Sequence, residues 1–182
     1  MSDPREDKLR EHFASGTADE VPVDTLEFSH PSFVAEDGVT PAAARFVNDP
    51  HDDAGFDATL EDDAPMNAGE TVNFACGQFD AQLPDQNTTG LPTCQISVDN
   101  VTRQLMPLLK LAAQNPAPIG VIYRCYVASD TLAPAQIVTN MTMKNANASF
   151  TRVTANIGFD DFLGKPFLTS TYNHKDHPGL DR

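Results

Sequence analysis

Three kinds of side chain in this 182-residue chain could do chemistry: thiols, imidazoles and clustered carboxylates. The thiols of Cys76, Cys94 and Cys125 lie far apart, are odd in number and form no C-x-x-C pair. Their spacing therefore writes neither a disulfide framework nor a zinc site, and they read as small buried hydrophobes. The imidazoles of His174-Lys175-Asp176-His177 sit three residues apart, while His51-Asp52-Asp53 and Glu61-Asp62-Asp63 gather carboxylates that would suit calcium. The Asp-x-Asp-x-Asp-Gly spacing of a calcium loop is missing, so each cluster reads first as a solvated loop. Asp160-Asp161 pairs two carboxylates, but neighbours on a strand point to opposite faces and cannot flank one bond. The sequence contains no G-x-S-x-G elbow, H-E-x-x-H helix, Gly-rich phosphate loop or cysteine with an evident base. The expectation is a protein that is not an enzyme and that has no cofactor and no metal centre.

Charge narrows the partners. Of the net charge of −14, residues 1–65 carry 17 acidic and 4 basic side chains, and residues 66–182 carry 9 and 8, so the excess lies in the first third. Such a chain repels a phosphate backbone, which argues against direct nucleic-acid binding. No apolar run approaches the roughly 18 residues of a membrane span, and residues 1–16 are charged where a signal peptide would be apolar. A soluble protein made in the cytoplasm is expected.

Two regions must position whatever surface matters. Residues 1–65 read as an extended acidic N-terminal arm with docking points at Leu9, Phe13, Leu26, Phe28, Phe33 and Phe46. Within it, Asp3 ahead of Pro4 caps a short helix over Asp3–Phe13, too short to stand alone in water.

Residues 66–182 read as a β domain. Val72, Phe74 and Cys76 alternate with polar residues, Phe79, Ala81 and Leu83 do so with opposite parity, and a bulge or bend is expected at Gly77. Asp85–Pro92 is a polar loop, and Thr93–Asp99 a strand with Cys94, Ile96 and Val98 inward. Asp99 or Asn100 caps a helix over about 100–114, with Val101, Leu105, Leu108, Leu109 and Ala112 on one stripe; Pro107 predicts a kink or a late start. Ile119–Val127 is apolar on both faces, as a central strand should be. Two strands, 137–143 and 153–159, form a hairpin about a turn at Lys144–Ala148. Beyond them come a helical turn at Asp160–Gly164, an extended piece at Pro166–Tyr172 and a polar tail. The fold class is mainly β, a sandwich or small barrel with one α-helix.

These strings also resemble a known family. Thr25-Leu26-Glu27-Phe28-Ser29-His30-Pro31-Ser32-Phe33, Leu83-Pro84, Gly90-Leu91-Pro92, Ile96-Ser97-Val98-Asp99-Asn100-Val101, Tyr123-Arg124-Cys125-Tyr126-Val127-Ala128-Ser129-Asp130 and the C-terminal Phe162-Leu163, Pro166-Phe167, Tyr172 and Pro178-Gly179-Leu180 occur in order. That order is similar to a tailed-bacteriophage family encoded among tail genes and long catalogued as a domain of unknown function. The resemblance runs from about Thr25 to Leu180. It implies a minor tail, baseplate or tail-tip protein of the virion, in symmetric copies as a homo-oligomeric ring, beside the distal tail protein, the hub and the tape measure. It implies no catalytic residues. Two rival readings are a receptor- or glycan-binding module, which the absence of tryptophan disfavours, and a cell-wall hydrolase, for which no constellation is present.

Overall fold

The computed structural model describes residues 4–15, 21–35, 38, 40–48, 54–81, 93–99, 105–149 and 152–159. Within them the chain runs α1 (Pro4–Ser15), β1 (Pro22–Val34), β2 (Pro41–Val47), β3 (Phe56–Thr59), β4 (Thr71–Cys76), β5 (Phe79–Ala81), β6 (Thr93–Asp99), α2 (Leu105–Ala112), β7 (Ile119–Val127), β8 (Gln136–Ala148) and β9 (Arg152–Phe159). The nine strands form one mixed sheet in the order β3-β4-β2-β1-β7-β8-β9-β6-β5. All pairings are antiparallel except β2 with β4. The fold is mainly β, as expected, with α2 in the body and the short N-terminal helix present as α1, but among the described residues the sheet is open and not a closed barrel.

The extended arm is corrected over residues 22–47. Strand β1 lies mid-sheet between β2 and β7, pairing Leu26 with Phe46 and with Tyr123. Each large apolar side chain buried here contributes about 1.5–3 kcal/mol, and Leu26, Phe28, Phe33 and Phe46 are all buried in the chain's own core. Their strand signal was masked by Pro22, Pro31 and Pro41, which give the run the composition of a loop.

The sheet serves two cores. One face gathers Leu26, Phe28, Phe46, Phe79, Ile96, Val121, Met141, Val153 and Ile157, with Leu105 and Ala112 of α2 and Leu9 of α1 packed on them. The other face, at the β2-β1-β7 end, gathers Val23, Val47 and Tyr126 under Ala58, Leu60, Ala64 and Phe74 of the β3–β4 segment. Tyr126 is met edge-on by Phe56 and Phe74 and gives its hydroxyl proton to Thr59 O at 3.1 Å.

The parity change at Gly77 follows from these two cores. Strand β4 ends at Cys76 and β5 starts at Phe79, so Phe74 serves the second core and Phe79 the first. The glycine is there for room, because a Cβ would lie 3.0 Å from Phe46 Cδ1. Strand β7 is buried from Val121 to Val127, matching the doubly covered strand expected.

Strand β6 ends at Asp99 as expected, and α2 starts late, one of the two outcomes expected of Pro107, which falls in its first turn where the missing N–H is harmless; Asn100–Gln104 lie outside the described residues. Lys144–Ala148 is strand and not turn, so the β8–β9 hairpin closes at Ser149 and Arg152. The expected features at Asp85–Pro92, Asp160–Gly164, Pro166–Tyr172 and 174–182 lie outside the described residues.

Gly55 has φ +85, and a Cβ there would stand 2.5 Å from Phe74 O and 2.8 Å from Asn73 Oδ1. Gly38 has φ +71 with nothing within 4 Å. Gly55→Ala should therefore destabilise by about 2–3 kcal/mol and Gly38→Ala by about 1 kcal/mol, read as midpoints of urea unfolding. Equal losses would show that the chain entering β3 beside β4 yields freely.

Candidate functional site

An arginine inside a strand as apolar as β7 must find an anion, since an unpaired buried charge is far costlier than its burial returns. Arg124 is fully buried, and three elements converge on it. Its Nε and Nη2 give bidentate hydrogen bonds to Glu61 Oε2 and Oε1 at 2.7 and 2.8 Å, and its Nη1 gives one to Glu27 Oε2 at 3.1 Å. Arg45 Nε on β2 gives a second bond to Glu27 Oε2 at 2.9 Å, and its Nη2 reaches Asn67 Oδ1. Asn67, held at φ +56, in turn gives its Nδ2–H to Glu70. The network joins β1, β2 and β7 to the segment that follows β3.

Its electrostatics are self-consistent. Burial pushes the Glu61 carboxyl up, but the Arg124 hydrogen bonds, a backbone hydrogen bond and the guanidinium charge outweigh it and bring it below the usual range. For Arg124 burial opposes the charge, and Glu61 and Glu27 more than restore it. Glu27 Oε1 is buried and has no hydrogen-bond partner among the described residues.

A second polar group lies on the other face. Tyr123 gives its hydroxyl proton to Asp24 Oδ1 at 2.7 Å, and burial, then the Asp24 bond and charge, raise the phenol far above its ordinary range. Burial followed by the Asp24 charge pushes the Cys125 thiol up to about 12, and burial raises Cys94 too. Thiols so shifted stay protonated at neutral pH and are poor nucleophiles. Cys76, Cys94 and Cys125 are all free of disulfides. His30, buried on β1, accepts the Ser32 N–H at Nδ1 and points Nε2 at Ala117 O at 3.1 Å, which ties its ring to the turn before β7. Among the described residues no three His, Cys, Asp or Glu side chains are grouped to hold a metal. Glu61 is committed to Arg124, Asp62 and Asp63 stand beside it in the chain, and His51-Asp52-Asp53 and His174–His177 lie outside the described residues.

The six expected docking residues separate cleanly. Leu9, Leu26, Phe28, Phe33 and Phe46 are buried within the chain, whereas Phe13 is 72% exposed. Leu9 seats α1 against the body, Arg5 Nε bonds Asp130 Oδ2 at 2.7 Å just past β7, and Lys8 approaches Ser129. At that end of the sheet two further apolar side chains stand in solvent: Val21, whose carbonyl accepts the Ala128 N–H, is 61% exposed, and Leu132, whose N–H bonds Asp130 Oδ1, is 70% exposed. Sequence reasoning passed over the Arg124 network. Its signal was there: a charged residue in the middle of an apolar strand, and Glu27 between Leu26 and Phe28.

Replacing Glu61 by Gln should cost about 3 kcal/mol of stability at pH 7, because it leaves Arg124 short of an anion. Because the folded Glu61 carboxyl sits below its ordinary 4.5, the stability it lends is complete above that pH and is lost as pH falls through the lower folded value. Thermal midpoints taken from pH 7 down to pH 3 should therefore fall more steeply for the native chain than for Glu61→Gln. Parallel curves would remove Glu61 from the account.

Comparison with the curated proteins finds no match. A family model described as "Domain of unknown function (DUF1833)" matches residues 8–172, from the middle of α1 through β9 and beyond. With that match spanning every strand, the chain belongs to the DUF1833 family.

Proposed function

We propose that the chain is a structural component of a bacteriophage tail tip, a minor tail or baseplate protein that assembles in symmetric copies and links the distal tail protein and the hub. The observation that carries this reading is the end of the sheet bearing α1: Phe13, Val21 and Leu132 stand 61–72% exposed around a helix pinned by Leu9 and the Arg5–Asp130 pair. Side chains of that size, held in place and left in water, suit burial against a neighbour. The resemblance of the ordered strings from Thr25 to Leu180 to a tailed-phage family supports the same reading. The net charge of −14 favours neutral or basic partner surfaces and disfavours nucleic acid. No helix among the described residues is long and apolar enough to cross a membrane. On this reading the chain acts through surfaces and not through catalysis, and its place is the virion, after synthesis in the host cytoplasm.

A receptor- or glycan-binding role is the second reading. It is favoured by a depression of about 140 Å3 on β6, β8 and β9 lined by Gln95, Asn145, Asn147, Thr154 and Asn156, whose amides could hydrogen-bond hydroxyls.

Phe13→Ser should change stability by less than about 0.5 kcal/mol, because the ring is mostly in water, while incorporation into particles falls several-fold in a complementation assay. A cryo-EM map of the particle should place the chain at the tail tip in a fixed number of copies. Particles that assemble and infect normally without the chain would overturn the assembly reading.

A further inference from the structure

Strand β8 is longer than its neighbours, and that excess leaves an edge. Its register with β7 stops at Ile119↔Met143, while its register with β9 continues to Ala148↔Val153. Residues Lys144–Ala148 are thus paired on one side only among the described residues, and all five are exposed. The chain ahead of β7 cannot fill the gap. Pro116 and Pro118 lack the N–H a ladder needs, and the turn between them is held elsewhere: Ala117 N bonds Asn115 Oδ1 at 3.1 Å, and Ala117 O faces His30 Nε2.

The edge is shaped for a strand. Ser149 gives its N–H to Arg152 O at the hairpin end, so in an antiparallel ladder Asn147 and Asn145 turn their backbone groups toward β9. Ala146 and Ala148 then turn theirs outward. A register shift at Lys144 keeps Met143, Ala146 and Ala148 opposite Ile157, Ala155 and Val153, so the outward-bonding residues also put their small side chains on the core face. There they line a groove of about 320 Å3 with Leu109, Ala112 and Ile119. A backbone edge beside an apolar trough is what an added strand uses: the main chain bonds the edge and every second side chain enters the trough.

Lys144 is the one ionisable residue lining this trough, on a chain of net charge −14. Seven residues past the end of β9 at Phe159 comes Pro166-Phe167-Leu168-Thr169-Ser170-Thr171-Tyr172, a stretch rich in the β-branched and aromatic residues that favour strands and free of charge. At Met141 strand β8 is flanked by Val121 of β7 and Phe159 of β9, so a chain leaving Phe159 reaches its own free edge only by climbing over a face of the sheet. The edge of a neighbouring copy is open from the side, and a linker of six residues spans roughly 20 Å. We propose that the Pro166–Tyr172 segment of one copy adds as a strand to the Lys144–Ala148 edge of the next, with Phe167 or Leu168 in the trough. This rests on the reading that the chain works in assembled copies.

The test uses the full chain. One variant carries Ala146→Cys and its partner carries Leu168→Cys, Thr169→Cys or Ser170→Cys in turn, so that register does not decide the result. On mixing and mild oxidation, a dimer-mass species joining residue 146 to one of these positions is expected, absent from either variant alone and from the parent with its three native thiols. Ala146→Pro should weaken self-association roughly tenfold or more with an unchanged thermal midpoint, because the lost N–H faces outward and not toward β9. A link formed within one chain of the double variant overturns the proposal. Copies that associate by light scattering with no such link, or as well in Ala146→Pro as in the parent, overturn it and leave the assembly reading standing. A parent chain that stays monomeric on the purified distal tail protein and hub overturns both.

Discussion

A buried guanidinium between two carboxylates sets the terms for this structure. Arg124 sits mid-strand in β7, and burying its charge is tolerable only because Glu27 arrives from β1 and Glu61 from the segment after β3. Each carboxylate alone would face its own desolvation. Together with Arg45 they form two cations and two anions whose bonds cross four parts of the chain. A network of this kind adds little net stability over apolar packing, but it penalises every arrangement that separates its members. It therefore specifies which segment covers the β2-β1-β7 face, and in what register.

That covering explains why one sheet can have two cores. The β3–β4 segment lies over one face at one end, while α2 packs the other face against β1, in the core that continues through β8, β9 and β6. The run 71–81 links them, changing parity at Gly77 so that Phe74 and Phe79 serve different interiors. Polar groups that could have done chemistry are engaged inside these layers: Asp24 by Tyr123, His30 by the turn before β7, and Glu61 by Arg124. What stands ready outside is a pinned helix with exposed apolar neighbours at one end and the overhanging β8 edge elsewhere.

Much of the strand content was legible in the residues. Cys94, Ile96 and Val98, then Val153, Ala155 and Ile157, alternate cleanly because one face of β6 and β9 is wet and the other is core. The unbroken apolar run of β7 marked it as central. Strands β1 and β2 escaped notice because Pro22, Pro31 and Pro41 and the alanines 42–44 give them the composition of an arm, and the Leu26–Phe28 alternation is too short to outweigh it. The end of β8 escaped for the opposite reason. Lys144-Asn145-Ala146-Asn147-Ala148 has turn-like composition, and only the ladder to β9 makes it a strand. Of the six aromatic and aliphatic docking residues, composition could say that they bury area but not against which chain, and packing assigned five of them to this one.

By itself, then, the amino-acid order determined the mainly-β class, the faces of β6, β7 and β9, the acid-rich first third and the family. Those follow from side-chain period and charge, which are local and additive. The tertiary structure alone decided that residues 22–34 and 41–47 are sheet and not an extended arm, that Arg124 meets Glu27 and Glu61, and which edges stay open among the described residues. Each of these depends on residues far apart in the chain lowering one another's cost of burial, and that coupling exists only once the strands are side by side.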